Sequence, residues 1–273
     1  MTNQPKITLT IAGNDASGGA GIAADLKTFA EYGTFGIAIL TVIATMDPHD
    51  HWKHHVTPLS AELVTQQLET ATSGASVDAF KTGMLPNVEV IQTIADHIRT
   101  HQLSHYVCDP VMVCKGEDEV LNPENANALR DILTPLATIV TPNLFEAAQI
   151  AQVSPIHTIE EAKVAAKIIH SLGAENVIIK GGTALSDTEA IDIFYDGHEY
   201  VLLREPQAAH SANHGAGCTF AAAVTAGLAQ GLSPLEAVKK AKKFVTAAIV
   251  HGFEFNEFAY PVFHSAYRLF EEK

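Results

Sequence analysis

Cysteine is scarce: the 273 residues carry only Cys108, Cys114 and Cys218. Three are too few for a disulfide framework and fit a reducing cytoplasm. Basic residues are also few. Lys and Arg number 17 against 31 Asp and Glu, a formal net charge of −14. So acidic a surface repels phosphate backbones, which argues against a nucleic-acid partner. No apolar run reaches the roughly 18 residues that suggest a membrane span. Residues Met1 to Lys6 are polar and lack the charged-then-apolar layout of a secretory leader, so a cytoplasmic location is expected. Hydrophobic residues reach 47%, enough apolar surface to offset the ordering entropy, and a disordered chain is excluded. No linker, low-complexity segment or repeat is visible, so one domain is expected over residues 1–273.

What is present alternates. Ile7–Ile11 is a short β-branched run, and residues 20–32 read as a helix. A second apolar run covers residues 36–45. Residues 61–72 are helical, residues 78–82 a strand, and residues 88–101 an amphipathic helix. Further strands are expected at 106–108, 137–140, 176–180 and 191–195. Asn122 with Pro123 marks a helix start, as do Thr158 with Glu161 and Ser233 with Glu236. In the last helix Leu235, Val238, Val245 and Ile249 form one apolar stripe. Strand–helix alternation at this spacing predicts an α/β fold, a three-layer sandwich with a mostly parallel central sheet. Such sheets bind ligands beyond the carboxyl ends of their strands. The polar residues there are the candidates for function.

Gly13–Gly21 follows the first strand. It is neither a phosphate-binding loop with its Lys, because Gly19 stands at that place, nor a dinucleotide fingerprint. Its backbone N–H groups suit an anion or polar ligand, or the glycines serve only a tight turn. His214–Phe220 (HGAGCTF) is more specific. Two glycines, a helix N-terminus and Cys218 coincide, so the N–H groups of Ala216, Gly217 and Cys218 can converge on an anion. A thiol there is expected to have a lowered pKa. Asp109 ends one strand, Asn143 and Glu146 follow another, and Lys180 ends a third. Asp109 and Glu146 offer hard oxygen ligands for Mg²⁺, and Lys180 offers charge for phosphate. Asn143 with Glu146 also fits a capping box. Val111–Asp118 reads as a polar loop in which Lys115 favours the Cys114 thiolate. His49–His55 is rich in His but lacks a second ligand cluster, and a solvated loop beside the site is expected.

Taken in order, the segments 10–21, 24–29, 81–85, 109–113, 141–143, 180–182 and 214–219 resemble the ribokinase superfamily in its phosphomethylpyrimidine kinase branch. They run through nearly the whole chain. Two departures stand out. Thr45-Met46 occupies the place of a pyrimidine-reading Gln, and Val113-Cys114-Lys115 replaces a Val-Ala-Lys lid. Both are similar to the dual-cysteine pyridoxal kinases.

The resemblance implies a ribokinase-like fold with a lid over about 111–122, an ATP- and Mg²⁺-dependent kinase of pyridoxal and other B6 vitamers, and a homodimer. It implies that Cys218 is the base and that Cys114 captures the aldehyde. The N–H groups of Gly215, Ala216, Gly217 and Cys218 would hold the transferring phosphoryl. Asn143, Lys180, Gly217 and Lys243 would meet ATP, and Asp109 and Glu146 would organise Mg²⁺. Asp15, Met46, Met84, Val111 and Cys114 would line the vitamin pocket. A hydroxymethylpyrimidine or phosphomethylpyrimidine kinase is the alternative enzyme, and a nucleotide- or vitamin-binding regulator the alternative without turnover. A thiol redox protein is disfavoured, since no CxxC spacing occurs.

Overall fold

The structure is a computed structural model, and it describes residues 4–74, 76–112, 123–208 and 212–271. Nine strands form one sheet in the order β3-β2-β1-β4-β5-β6-β7-β8-β9. They are β1 (Ile7–Asp15), β2 (Phe35–Asp47), β3 (Lys53–Pro58), β4 (Ala79–Thr82), β5 (Tyr106–Cys108), β6 (Ile139–Val140), β7 (Asn176–Lys180), β8 (Glu189–Tyr195) and β9 (Tyr200–Pro206). The pairings from β2 through β1 and β4 to β7 are parallel, while the β2–β3, β7–β8 and β8–β9 pairings are antiparallel. The helices are α1 (Gly21–Glu31), α2 (Ala61–Thr72), α3 (Val88–His101), α4 (Pro123–Ala128), α5 (Leu144–Ala151), α6 (Ile159–Ser171), α7 (Ala216–Ala229) and α8 (Pro234–Val250). The mostly parallel α/β sandwich expected from the alternation is the architecture found.

Local chemistry sets the helix ends. Asn143, Thr158 and Ser233 each accept from the N–H three residues on, and Glu146, Glu161 and Glu236 answer back, so all three capping boxes form. Asn122 lies outside the described residues. Two apolar clusters cover the two faces of the sheet. One carries Ile91, Ile94 and Leu133, the other Phe220, Val224 and Val238. Helix α7 is buried from Thr219 to Ala229, and most of that stretch is small: Ala, Gly and Thr, with Phe220, Val224 and Leu228 filling the core. It starts at Ala216, so Cys218 lies in its first turn.

Two strands escape the periodicity. Strand β3 is largely exposed and its sequence KHHVTP shows no alternation. The His-rich run therefore becomes a turn followed by an edge strand, not simply a solvated loop. Strand β9 is the opposite edge. The chain passes from β1 to β2 on one side, and β4 returns to the other. That reversal opens a crevice above the carboxyl ends of β1 and β4.

Candidate active site

A cavity of about 370 Å³ lies in that crevice. Asp15 comes from the end of β1, Asp109 from just beyond β5, Asn143 and Glu146 from the start of α5, and Lys180 from the end of β7. Helix α7 adds Gly217 and Cys218, with Gly215 as its cap. Met46, Met84 and Val111 complete the wall. The site residues expected from the sequence thus converge, with three exceptions. Cys114 and the lid from residue 113 to 122 lie outside the described residues. Ala216 is not part of the wall, and its N–H donates to the Asn213 carbonyl at 3.1 Å. That N–H is thus turned to the preceding loop, whereas those of Gly217 and Cys218 lie in a first turn without intrahelical acceptors. Lys243 is exposed on α8 and does not line the cavity. Its neighbour Lys242 is buried against Asp192 at 2.7 Å.

Charge is concentrated at one end. Lys180 Nζ donates to Asp109 Oδ1 at 2.9 Å, and Thr141 Oγ1 donates to the same oxygen at 3.0 Å. The ammonium also stands 3.5 Å from where a Cβ on Gly217 would be. A cation therefore sits beside the N-terminus of α7, where helix N–H groups already favour anions. Glu146 Oε2 accepts from the Asn143 N–H at 2.8 Å. Burial pushes the Glu146 carboxyl up to about 7; Lys180 opposes the rise and Asp109 adds to it.

The two buried carboxylates, Asp109 and Glu146, offer the hard oxygen ligands that suit Mg²⁺, and Lys180 stands beside them as a second positive charge for phosphate. Among the described residues no three His, Cys, Asp or Glu gather as ligands. A Mg²⁺ ion here would be completed by phosphate oxygens and water, its usual manner of binding.

The thiol of Cys218 departs from expectation. Burial pushes it up to about 12. Asp25 adds to the rise, Lys81 opposes it, Asp109 adds again, and the Gly21 N–H opposes. The direction is thus opposite to the lowered pKa expected from the helix start, because lost hydration and the Asp25 and Asp109 carboxylates favour the neutral thiol. The approach of Gly21 to Cys218 depends on tight backbone contact. Gly215 has φ +81, and a Cβ there would collide with the Gly19 carbonyl. Any other residue would part the two loops.

At the other end the wall is apolar, with Val42, Ala44, Met46, Met84 and Val111. Polar exceptions include Asp15, His54 and His214. Asp15 Oδ2 lies 2.7 Å from His214 Nε2, and its Oδ1 accepts from the Ser17 N–H at 2.7 Å. Burial alone would raise the Asp15 pKa; the bonds from His214 and Ser17 outweigh it and lower it. His54 and His214 were given no role from the sequence. His214 was visible within its motif. His54 reaches the wall because β3 pairs it directly with Met46, a relation no local spacing reveals.

The profile of the Phosphomethylpyrimidine kinase family matches residues 15–263. The chain belongs to the phosphomethylpyrimidine kinase family. Family members named pyridoxine kinase are among its relatives. That of Bacillus subtilis is 51% identical over 261 residues, 96% of each chain. The hydroxymethylpyrimidine/phosphomethylpyrimidine kinase of the same organism is 36% identical over 95% of each. Among solved members, the pyridoxal kinase of Staphylococcus aureus in complex with AMP-PCP and pyridoxal superposes with a TM-score of 0.93. It shares 49% identity, with 98% of this chain and 97% of that one covered. The ADP complex of Bacillus subtilis pyridoxal kinase gives 0.95 at 50% identity, over 97% of this chain and 100% of that one.

Proposed function

We propose that this chain is an ATP-dependent pyridoxal kinase that uses Mg²⁺ and phosphorylates the 5′-hydroxymethyl group. The observation that carries the reading is the cavity itself. It joins Cys218, Lys180 and the α7 N-terminus at one end to an apolar, ring-sized wall at the other. The half-identity to enzymes named for pyridoxine and pyridoxal supports the same substrate class.

The roles follow from position. Cys218 takes the hydroxymethyl proton as the substrate oxygen bonds to phosphorus and the bond to ADP breaks. Only the thiolate form of Cys218 can accept this proton, so the burial that raises its pKa limits the fraction of sites ready to act. The N–H groups of Gly217 and Cys218, with Gly215 shaping the turn, cradle the transferring phosphoryl. Lys180 and Asn143 contact the phosphates of ATP. Asp109 and Glu146 would hold Mg²⁺, which neutralises charge on phosphate oxygens. Asp15, Met46, Met84 and Val111 bound the vitamin ring, and Cys114 captures its aldehyde. Positioning and charge carry most of such a transfer. A single domain acting as a cytoplasmic homodimer completes the proposal.

The second reading, a pyrimidine kinase of thiamine synthesis, draws on the 36% identical relative. Met46 on an apolar wall favours the first. ATP consumption measured side by side with pyridoxal, pyridoxine and hydroxymethylpyrimidine separates them. Cys218→Ala is expected to lower kcat about 10²–10⁴-fold with ADP binding retained. Near-normal turnover in that variant would remove Cys218 as base. No ATP consumption with any of the three would leave a binding regulator.

A further inference from the structure

Lys180 ends β7, and the chain must turn at once through Gly181 and Gly182. The turn is held from β8. The Ile191 N–H donates to the Gly182 carbonyl at 2.8 Å, and Asp192 Oδ1 accepts from the Gly182 N–H at 3.2 Å. Asp192 is also the direct cross-strand partner of Lys180. A Cβ on Gly181 would collide with the Ile191 carbonyl, so the turn has no slack. The second Asp192 oxygen, Oδ2, accepts from Lys242 Nζ at 2.7 Å. Both side chains are buried, at 6% and 9% exposure. Lys242 reaches them from α8, in the layer packed on the sheet.

An isolated interior ion pair is a poor device for stability, because desolvation offsets most of its attraction. It is a good device for geometry. With one oxygen on Gly182 and the other on Lys242, the Asp192 carboxylate cannot rotate. The backbone that launches Lys180 toward Asp109 and the α7 N-terminus is fixed with it. Lys242 itself does not line the cavity.

We infer that Lys242 is a positioning residue for the nucleotide: through Asp192 it locks the Gly181–Gly182 turn and so aims Lys180 at the phosphates of ATP. This rests on the reading of Lys180 as a phosphate contact. Misplacing a binding group by about 1 Å can cost up to about a hundredfold. The defect should fall on ATP and spare the vitamin, whose apolar wall stands on β2 and beyond β4.

The test compares Lys242→Met, Asp192→Asn with Lys242→Met, and Lys180→Met in steady-state kinetics on the full chain. Lys242→Met leaves an unpaired buried carboxylate and can fail to fold; the double variant leaves none and then carries the test. The expected result is a KM for ATP raised about tenfold or more, a KM for pyridoxal within about twofold, and recovery in Lys242→Arg. An unchanged KM for ATP in a folded variant, or equal rises in both KM values, overturns the proposal. Lys180→Met separates the two readings. If it leaves the KM for ATP unchanged, Lys180 is not a phosphate contact and the proposal falls with it. If it raises that KM while the Lys242 variants do not, only the positioning role is lost.

Discussion

His214 Nε2 stands 2.7 Å from Asp15 Oδ2, joining two glycine-rich loops that are 199 residues apart in the chain. The contact is a clasp. One loop leaves β1 beside the vitamin wall, and the other leads into α7 and Cys218. Nearby, Gly19 packs so closely on the His214 ring that a Cβ would collide with it. The geometry that brings the thiol toward a hydroxymethyl group thus depends on this pair as well as on the glycines.

Breaking the clasp has a directional consequence. His214→Ala leaves the Asp15 carboxylate buried without its partner. A hydrogen bond to a charged group is worth about 1.5–3 kcal/mol, so kcat/KM for the vitamin should fall roughly tenfold to a hundredfold. The KM for ATP should hold within about threefold, since Lys180 and Asn143 stand at the other end. Initial rates with each substrate varied in turn check this. Equal damage to both substrates would make His214 a general support of the fold.

Met46 shares its wall with Val42, Ala44 and Met84. A site that hydrogen-bonds a substrate edge can reject its analogue by orders of magnitude, whereas an apolar wall cannot. Met46→Gln should therefore raise the ratio of kcat/KM for hydroxymethylpyrimidine over pyridoxal by about tenfold or more. A ratio that does not move would make Met46 a packing residue only.

Much of this site was legible because its residues end strands. Asp109, Asn143 and Lys180 each follow a short β run, and a parallel sheet gathers such ends by topology. Cys218 was legible as a position but not as an acid. The helix dipole is local and visible in sequence, while the Asp25 and Asp109 charges that oppose it arrive from α1 and from beyond β5. Lys242 and Lys243 show the same limit at finer grain. Lys242 falls on the stripe of Val238, Val245 and Ile249, at helical spacing, and is carried inward; Lys243 is turned about 100° to solvent. The resemblance singled out Lys243 instead, and no sequence signal announced Asp192 as the partner of Lys242. Strands β3 and β9 were missed because edge strands bury little and so lack alternation.

The aldehyde of pyridoxal offers a test of Cys114. A thiolate adds to the carbonyl carbon and the oxygen takes up a proton, giving a hemithioacetal that reverses without any oxidant. Pyridoxine has no carbonyl to trap. Cys114→Ala should lower kcat/KM for pyridoxal about tenfold more than for pyridoxine. Parallel assays of the two vitamers decide it, and an equal loss on both would leave the thiol no chemical part.

His264 ties acid stability to the same helix that carries Cys218. Thr219 Oγ1 donates its one proton to the Gly215 carbonyl at 2.8 Å, so at the 3.1 Å contact with His264 Nε2 the imidazole must be the donor. The neutral ring with its proton on Nε2 satisfies that bond. Burial, aided by the charge of Lys27 and opposed by Glu31, pushes the His264 pKa down to about 4 from the ordinary imidazole value of about 6.5. The unfolded chain then binds more protons than the folded one between these values. Stability contributed by the neutral ring is complete above about 6.5 and is lost as pH falls toward 4, by about 3 kcal/mol in all. His264→Gln keeps an N–H donor for Thr219 but removes the titration. The variant should lose less Tm than the parent between pH 7 and pH 4.5, by several degrees at roughly 2–4 °C per kcal/mol. Thermal melts of both proteins across that range measure the difference. An identical acid loss in the two would mean that His264 is not the group whose protonation loosens the start of α7.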